Sequence, residues 1–193
     1  MYRDLNILTE EVLKSAFFVM SPERREMCLR LKSADDRRRC IAADMLVREI
    51  ISEKTGLRPE KILFGISENG KPFAKNADIY FNVSHSGHYA AAAFSEKNEV
   101  GADVECFRPI SPSVTRLFCS EKDMKYIFGD VKPSERKIQD RETLTRFFRV
   151  WCFKEAFFKK TGEGIGKHAS LIDYDITPRK EILLTDGIII AVE

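Results

Sequence analysis

Asp103 and Glu105, in the stretch NEVGADVECF (98–107), are the residues whose type and spacing first raise a chemical question. Val100, Ala102 and Val104 alternate with Gly101, Asp103 and Glu105, which is the period of a β-strand, so both carboxylates project from one face. Asp is a poor strand former, and like charges on one face repel. A third carboxylate stands in VWCFKEAFFKK. On a helix, Leu144, Phe147, Phe148, Trp151, Glu155 and Phe158 follow i, i+3, i+4 spacing, which predicts that Glu155 lies on the buried apolar stripe. Lys159, one turn on, is its simplest partner, and two solvated acids on an exposed strand are the simplest reading of Asp103 and Glu105. Taken together the residues allow another reading. Three carboxylates converging on one point repel unless a cation joins them. A hard divalent ion such as Mg²⁺ is typically held by a few carboxylates plus substrate phosphate and water.

Phosphate partners are present. NVSHSG places Ser84, His85 and Ser86 at the end of a predicted strand, where hydroxyls, an imidazole and backbone N–H groups beside a glycine suit an anion. A histidine in such a place is commonly a surface or capping residue. Lys71 follows the Asn69-Gly70 turn without an obvious acidic neighbour, and turn lysines are ordinarily just solvated. Arg24, Arg25, Arg37, Arg38 and Arg39 offer bidentate phosphate contacts. Glu23, Glu26, Asp35 and Asp36 beside them equally allow a solvated, charge-balanced face.

The elements that must position these groups follow from periodicity and punctuation. Ser21 predicts an N-cap, with Pro22 in the first turn and Glu23 suited to the dipole. A longer helix is expected from about Ala34 to Lys54, with Ala43, Leu46, Val47 and Ile50 as its stripe and Gly56 and Pro59 closing it. KILFGISENGKPF reads as a strand and a turn, and DIYFNVSHS and HYAAAAFSE as two strands joined near Gly87. FRPISPS reads as a loop with two prolines, and Ser120 as an N-cap with Asp123 three residues on. VKPSERKIQDRE is polar, a loop or a helix connection. A strong helix is predicted over 141–160, and SLIDYDI, KEILLT and GIIIAVE are candidate strands. Helical material and strands recur in each half, with a change near residue 98, so a duplicated α+β architecture is permitted.

Composition narrows the class. The chain of 193 residues is 44% hydrophobic and 32% charged, a globular balance, with a formal net charge of only +2. No global field points to nucleic acid or membrane. Five cysteines without a C-x-x-C pair argue against a disulfide framework or zinc site, and a cytoplasmic, reducing location is expected. The N-terminal residues carry Asp, Glu and Lys and lack the apolar core of a signal peptide. No run approaches the roughly 18 apolar residues of a membrane helix.

SPERREMC, DDRRRCIAADMLVR, NGKPF, FNVSHSG, VGADVE, RLFCSEKD and WCFKEAFFKK, in this order from residue 21 to about 160, together resemble the Sfp-type 4′-phosphopantetheinyl transferases. The ordered G-x-D-x-E and W-x-x-K-E-x-x-x-K, with N-x-S-H-S upstream, carry most of that likeness. The resemblance implies an α+β fold of two similar halves, 1–98 and 99–193, related by a pseudo-twofold in a monomer, with coenzyme A in the cleft between them. It implies Asp103, Glu105 and Glu155 as Mg²⁺ ligands. Ser84 and His85 match pyrophosphate contacts, Lys71 a basic residue at the coenzyme A site, and Arg24 and Arg39 residues near the adenosine 3′-phosphate. Lys154 and Lys159 match the lysines of the K-E-x-x-x-K helix and are expected at coenzyme A. Glu155, Lys159 and His85 form the expected catalytic group, with Glu155 as base, directly or through a water, and Lys159 modulating its pKa.

Three departures stand out. Ala102 replaces a larger apolar residue. Met27 and Cys40 stand where a basic residue and a hydroxyl are expected near the 3′-phosphate. The implied reaction moves 4′-phosphopantetheine from coenzyme A to a serine of an acyl or peptidyl carrier protein. The segment 107–128, with Phe107, Leu117, Phe118, Met124 and Ile127 and the charges Arg108, Arg116, Lys122 and Lys125, is expected to meet that acidic partner, although Phe118 reads better as core. The rivals are a Mg²⁺-dependent phosphohydrolase using the same acids, and a nucleic-acid-binding module built on the arginines.

Overall fold

A computed structural model describes residues 1–131, 136–164, 169–174, 182–185 and 188–192. The chain divides into two compact units, Met1–Val100 and Gly101–Glu193.

The first unit opens with a short strand, β1 (Tyr2–Asp4), and the helices α1 (Glu10–Val19), α2 (Pro22–Arg30) and α3 (Ala34–Thr55). Each helix starts where a hydroxyl can accept a backbone N–H: Thr9, Ser21 and Ser33 are the caps. Gly56 ends α3 with φ 72°, the left-handed cap that favours glycine. A hairpin of β2 (Phe64–Ile66) and β3 (Pro72–Ala74) stands as its own two-stranded sheet. β4 (Tyr80–Ser86) and β5 (Tyr89–Ser95) then form a second hairpin, and β1 pairs with the far edge of β5, giving the antiparallel order β1-β5-β4. Leu46, Val47, Ile50 and Ile51 of α3 pack with Phe81, Ala90 and Ala92 of this sheet. The small alanines of β5 let α3 pack close against that strand.

In the second unit β6 (Ala102–Cys106) is followed by α4 (Pro112–Phe118), α5 (Glu121–Phe128), α6 (Arg141–Thr161), β7 (Ile182–Thr185) and β8 (Ile188–Val192). The sheet order is β6-β8-β7, antiparallel, with Asp103 opposite Ala191 and Glu105 opposite Ile189. α6 packs on β6 and β8. Ser120 and Asp123 make a reciprocal capping box at the start of α5.

Several expectations change. FRPISPS is not all loop, because Pro112 sits in the first turn of α4, where its missing N–H costs nothing. SLIDYDI forms no strand over its described residues: Ser170 and Leu171 close a 3₁₀ turn, Ala169–Leu171, and 172–174 are irregular; residues 175–176 lie outside the described residues, as do 132–135 of VKPSERKIQDRE. α6 is buried on more than one stripe. Val150, Cys152, Phe153, Lys154 and Ala156 are buried together with Leu144, Phe147, Phe148 and Phe158, whereas Trp151 and Glu155 are half-buried.

Candidate functional site

The acids of the second unit are brought together by one close approach. A Cβ at Gly101 would lie 1.8 Å from the Ala156 carbonyl oxygen and 2.7 Å from the Lys160 amide nitrogen. The strand therefore meets the helix backbone to backbone at this point, which only glycine permits. Gly101, Asp103 and Glu105 share a strand face, so that face is the one turned to α6. Gly101 stands in register with the two acids, and its lack of a side chain is what lets their face meet α6.

Asp103 is only 4% exposed, and Lys159 donates to its Oδ1 at 2.6 Å. Lys159 thus reaches the strand acid, and its charge acts on Glu155 as well. The thiol of Cys152, fully buried on the same helix, is also hydrogen-bonded to Asp103. Burial above all, then the Asp103 and Glu105 carboxylates, pushes that thiol well above its ordinary range. Glu105 receives both arms of Arg108, at 2.6 Å and 3.3 Å. The same guanidinium lies over the Phe148 ring, 5.3 Å from its centroid. Its pKa is raised, chiefly by the hydrogen bond to Glu105.

Glu155 completes the group. Burial first, then the Asp103 carboxylate, with Glu105 adding and Lys159 opposing, pushes its carboxyl up to about 7. Two carboxylates near enough to raise a third are the electrostatic conflict that a divalent cation resolves. In donor chemistry Asp103, Glu105 and Glu155 fit a hard divalent ion. Among the described residues no group of three or more His, Cys, Asp or Glu side chains already has metal-site spacing, and Asp103 and Glu105 are each engaged by a cationic side chain.

Lys154 is placed differently from its expected contact with coenzyme A. It is 0% exposed, and its ammonium donates to Asp123, to the Phe118 carbonyl at 3.1 Å and to the Ala169 carbonyl at 2.7 Å. Those three bonds use every N–H the ammonium has. The Asp123 carboxylate also accepts from the Ser120 and Tyr174 amides, so the pair ties α6 to the end of α4, the start of α5 and the 3₁₀ turn. Phe118 is core, stacked on Trp151 with ring centroids 4.2 Å apart, and Ile127 is fully buried. Leu117 is 81% exposed, and Arg116, Lys122 and Lys125 are exposed as well. Lys122 pairs with Asp173 at 2.6 Å.

The other coenzyme A candidates, Arg24, Arg39, Lys71, Ser84 and His85, lie in the first unit. Arg39 donates to the Gly87 carbonyl at 2.8 Å and pairs with Asp36, which fastens α3 to the turn that ends Ser84-His85-Ser86. Ser84 is buried and His85 exposed. Lys71 does have an acidic partner: its ammonium pairs with Glu99 and donates to the Val100 carbonyl at 3.1 Å. Arg24 lies 3.9 Å from Asp44, donates toward the Met27 sulfur at 3.6 Å, and lines a cavity of about 80 Å³ with Phe64, Ile66, Pro72 and Val83. Asp44 is held from its other side by Arg48 at 2.6 Å, a buried pair with no sequence signal beyond its i, i+4 spacing. Cys40 faces inward, packed with Cys28 and Met20, and burial foremost pushes its thiol up to about 11. A hydroxyl-like role at a phosphate does not fit that setting. All five cysteines are free thiols.

The chain belongs to the 4′-phosphopantetheinyl transferase superfamily. The profile described as 4′-phosphopantetheinyl transferase, N-terminal, matches residues 8–97, and that of the 4′-phosphopantetheinyl transferase superfamily matches residues 99–187. Among relatives, 4′-phosphopantetheinyl transferase Sfp of Bacillus subtilis (strain 168) is 33% identical over 165 residues, 85% of this chain and 69% of that protein. 4′-Phosphopantetheinyl transferase HetI of Nostoc sp. is 29% identical over 176 residues, 88% of this chain and 70% of the relative. The L-aminoadipate-semialdehyde dehydrogenase-phosphopantetheinyl transferase of Mus musculus is 29% identical over 168 residues, 82% of this chain and 53% of the relative.

Proposed function

We propose that this chain transfers 4′-phosphopantetheine from coenzyme A to a serine of an apo acyl or peptidyl carrier protein, releasing adenosine 3′,5′-bisphosphate. The observation that carries the reading is the meeting of the G-x-D-x-E strand and the K-E-x-x-x-K helix in one acidic site, within a chain of this family. The serine oxygen bonds to the β-phosphorus, the bond to the bridging oxygen breaks, and charge grows on the leaving nucleotide. Mg²⁺ held by Asp103, Glu105 and Glu155 would neutralise the pyrophosphate and that developing charge. Lys159, beside Asp103, is assigned to a coenzyme A phosphate and to keeping Asp103 in place. Glu155 takes the serine proton, directly or through a water. Arg24 and Arg39 are assigned to the 3′-phosphate, and Ser84, His85 and Lys71 to coenzyme A, Lys71 exchanging Glu99 for phosphate. Lys154 is left out of this set, because its donors are spent in the core.

The two halves, 1–98 and 99–193, are proposed to be pseudo-twofold related within a cytoplasmic monomer, with coenzyme A between them. Support comes from a long helix on a three-stranded antiparallel sheet in each unit. The exposed Arg116, Leu117 and Lys125 are the proposed carrier-facing groups. Arg24, Arg37, Arg38 and Arg39 are drawn into intramolecular contacts, which favours a bounded phosphate site over an open nucleic-acid surface. No helix among the described residues is long and apolar enough to cross a membrane.

The test is incubation with coenzyme A, Mg²⁺ and a panel of apo carrier proteins, read by intact-protein mass spectrometry. The expected result is a gain of one phosphopantetheine on at least one carrier, absent when its serine is alanine. Release of phosphate without carrier modification would favour the phosphohydrolase instead.

A further inference from the structure

Arg108 is not explained by the transfer chemistry, yet it makes the only bidentate contact described for an acid of the site. Its two terminal nitrogens reach the two oxygens of Glu105, at 2.6 Å and 3.3 Å. Glu105 itself is largely covered, with its side chain 13% exposed, whereas the Arg108 side chain is 53% exposed. The guanidinium also donates to the Cys106 carbonyl at 3.3 Å and lies over Phe148, but its exposed side gives it a route into water, while the carboxylate stays where β6 holds it. The contrast with Asp103 is informative. Lys159 reaches Asp103 from the last turn of α6, and both groups are more enclosed.

We infer that Arg108 is a displaceable counter-cation for Glu105, so that a divalent ion and the guanidinium compete for the same carboxylate oxygens. The inference rests on the metal reading of Asp103, Glu105 and Glu155. The guanidinium forks across both oxygens of Glu105, and although each oxygen keeps a second lone pair, a cation ligated there would stand beside a like charge, so its binding favours the departure of Arg108. A divalent ion brings twice the charge and also answers Asp103 and Glu155, so it wins where a half-exposed ion pair is weak. When it binds, Arg108 is released into water at the start of the segment proposed to face the acidic carrier.

The experiment follows the guanidinium directly. Full-length protein is labelled with phenylglyoxal with and without Mg²⁺, and the labelling rate of each arginine is read by peptide mass spectrometry. Arg30, an exposed arginine paired with Glu26, serves as internal reference. Mn²⁺ binding, followed by the loss of its free-ion EPR signal, shows in parallel whether the cation binds. Arg108 should label up to about fivefold faster with Mg²⁺, the worth of a surface ion pair, while Arg30 stays unchanged. In Glu105→Gln, Arg108 should label fast without Mg²⁺, and Arg108→Gln should bind Mn²⁺ up to about fivefold more tightly than the unaltered protein. Mn²⁺ binding with no change at Arg108 would overturn the competition while leaving the metal site standing. No Mn²⁺ binding by the unaltered protein would overturn both.

Discussion

At the scale of single residues, Lys154 and Glu155 are adjacent in sequence and opposite in environment. Periodicity on one helix face puts Glu155 in the core, and the family resemblance puts Lys154 at coenzyme A. The structure buries Lys154 completely and leaves Glu155 half-buried at the acid cluster. A single-stripe reading assumes that a helix has one covered side. α6 is covered by β6 and β8 and also by α5, so a charged residue on another side is buried too. Nothing in WCFKEAFFKK distinguishes these sides; the partner that makes burial tolerable, Asp123, lies 31 positions away. Breaking a buried pair from one side costs about 3–5 kcal/mol, because the other charge stays buried. Lys154→Met should therefore lose about that much in urea unfolding. Adding Asp123→Asn should cost far less than it does alone, so the two losses are strongly non-additive. Additive losses, with a raised apparent constant for coenzyme A in the variants that fold, would return Lys154 to the ligand.

At the scale of elements, α6 is the piece most readable in advance and the one on which the site most depends. Its start at Asp140 and its end at Gly162 are written in cap residues. The Thr143 side chain and amide, in that order, hold the Asp140 carboxyl below its usual range. A depressed carboxylate contributes stability that is full above the unfolded value, near 3.9, and is lost as pH falls through the lower folded value. Asp140→Ala should cost about 1 kcal/mol at pH 7. The difference from the unaltered protein should be unchanged at pH 5 and shrink below about pH 4, measured by chemical denaturation. A cost that grows on acidification would have the wrong sign for this cap.

Other elements were less legible for identifiable reasons. α1 buries only Leu13 and exposes Val12 and Phe18, so its period is blurred. β1 has three residues, two of them charged, and exists because the edge of β5 is there to pair with it. The pairing of β6 with β8 joins segments more than 80 positions apart, a choice that no local pattern encodes.

At the scale of the whole molecule, the two profile matches fall on the two compact units, and each unit lays one long helix on a three-stranded antiparallel sheet. The acids were legible as acids, and their common strand face followed from spacing alone. The close packing at Gly101 that turns this face onto α6 was not legible. The partners that Lys159, Lys71 and Arg108 hold were not legible either, because each is fixed by tertiary placement. The family relationship makes the transfer reaction the natural reading, and the second unit supplies the charges it needs. The mechanism turns on the three carboxylates working as a cation site.

The most direct measurement is the initial rate of carrier modification as Mg²⁺ is titrated, for the unaltered protein and for Asp103→Asn, with circular dichroism confirming that both are folded. Modification by the unaltered protein should depend on Mg²⁺ and stop with EDTA. Asp103→Asn should be slowed by at least about a hundredfold at limiting Mg²⁺, the loss of several kcal/mol of charge stabilisation. Near-normal rates for Asp103→Asn at limiting Mg²⁺, or undiminished modification in EDTA, would contradict the assignment of Asp103, Glu105 and Glu155 as the metal-binding centre of the transfer.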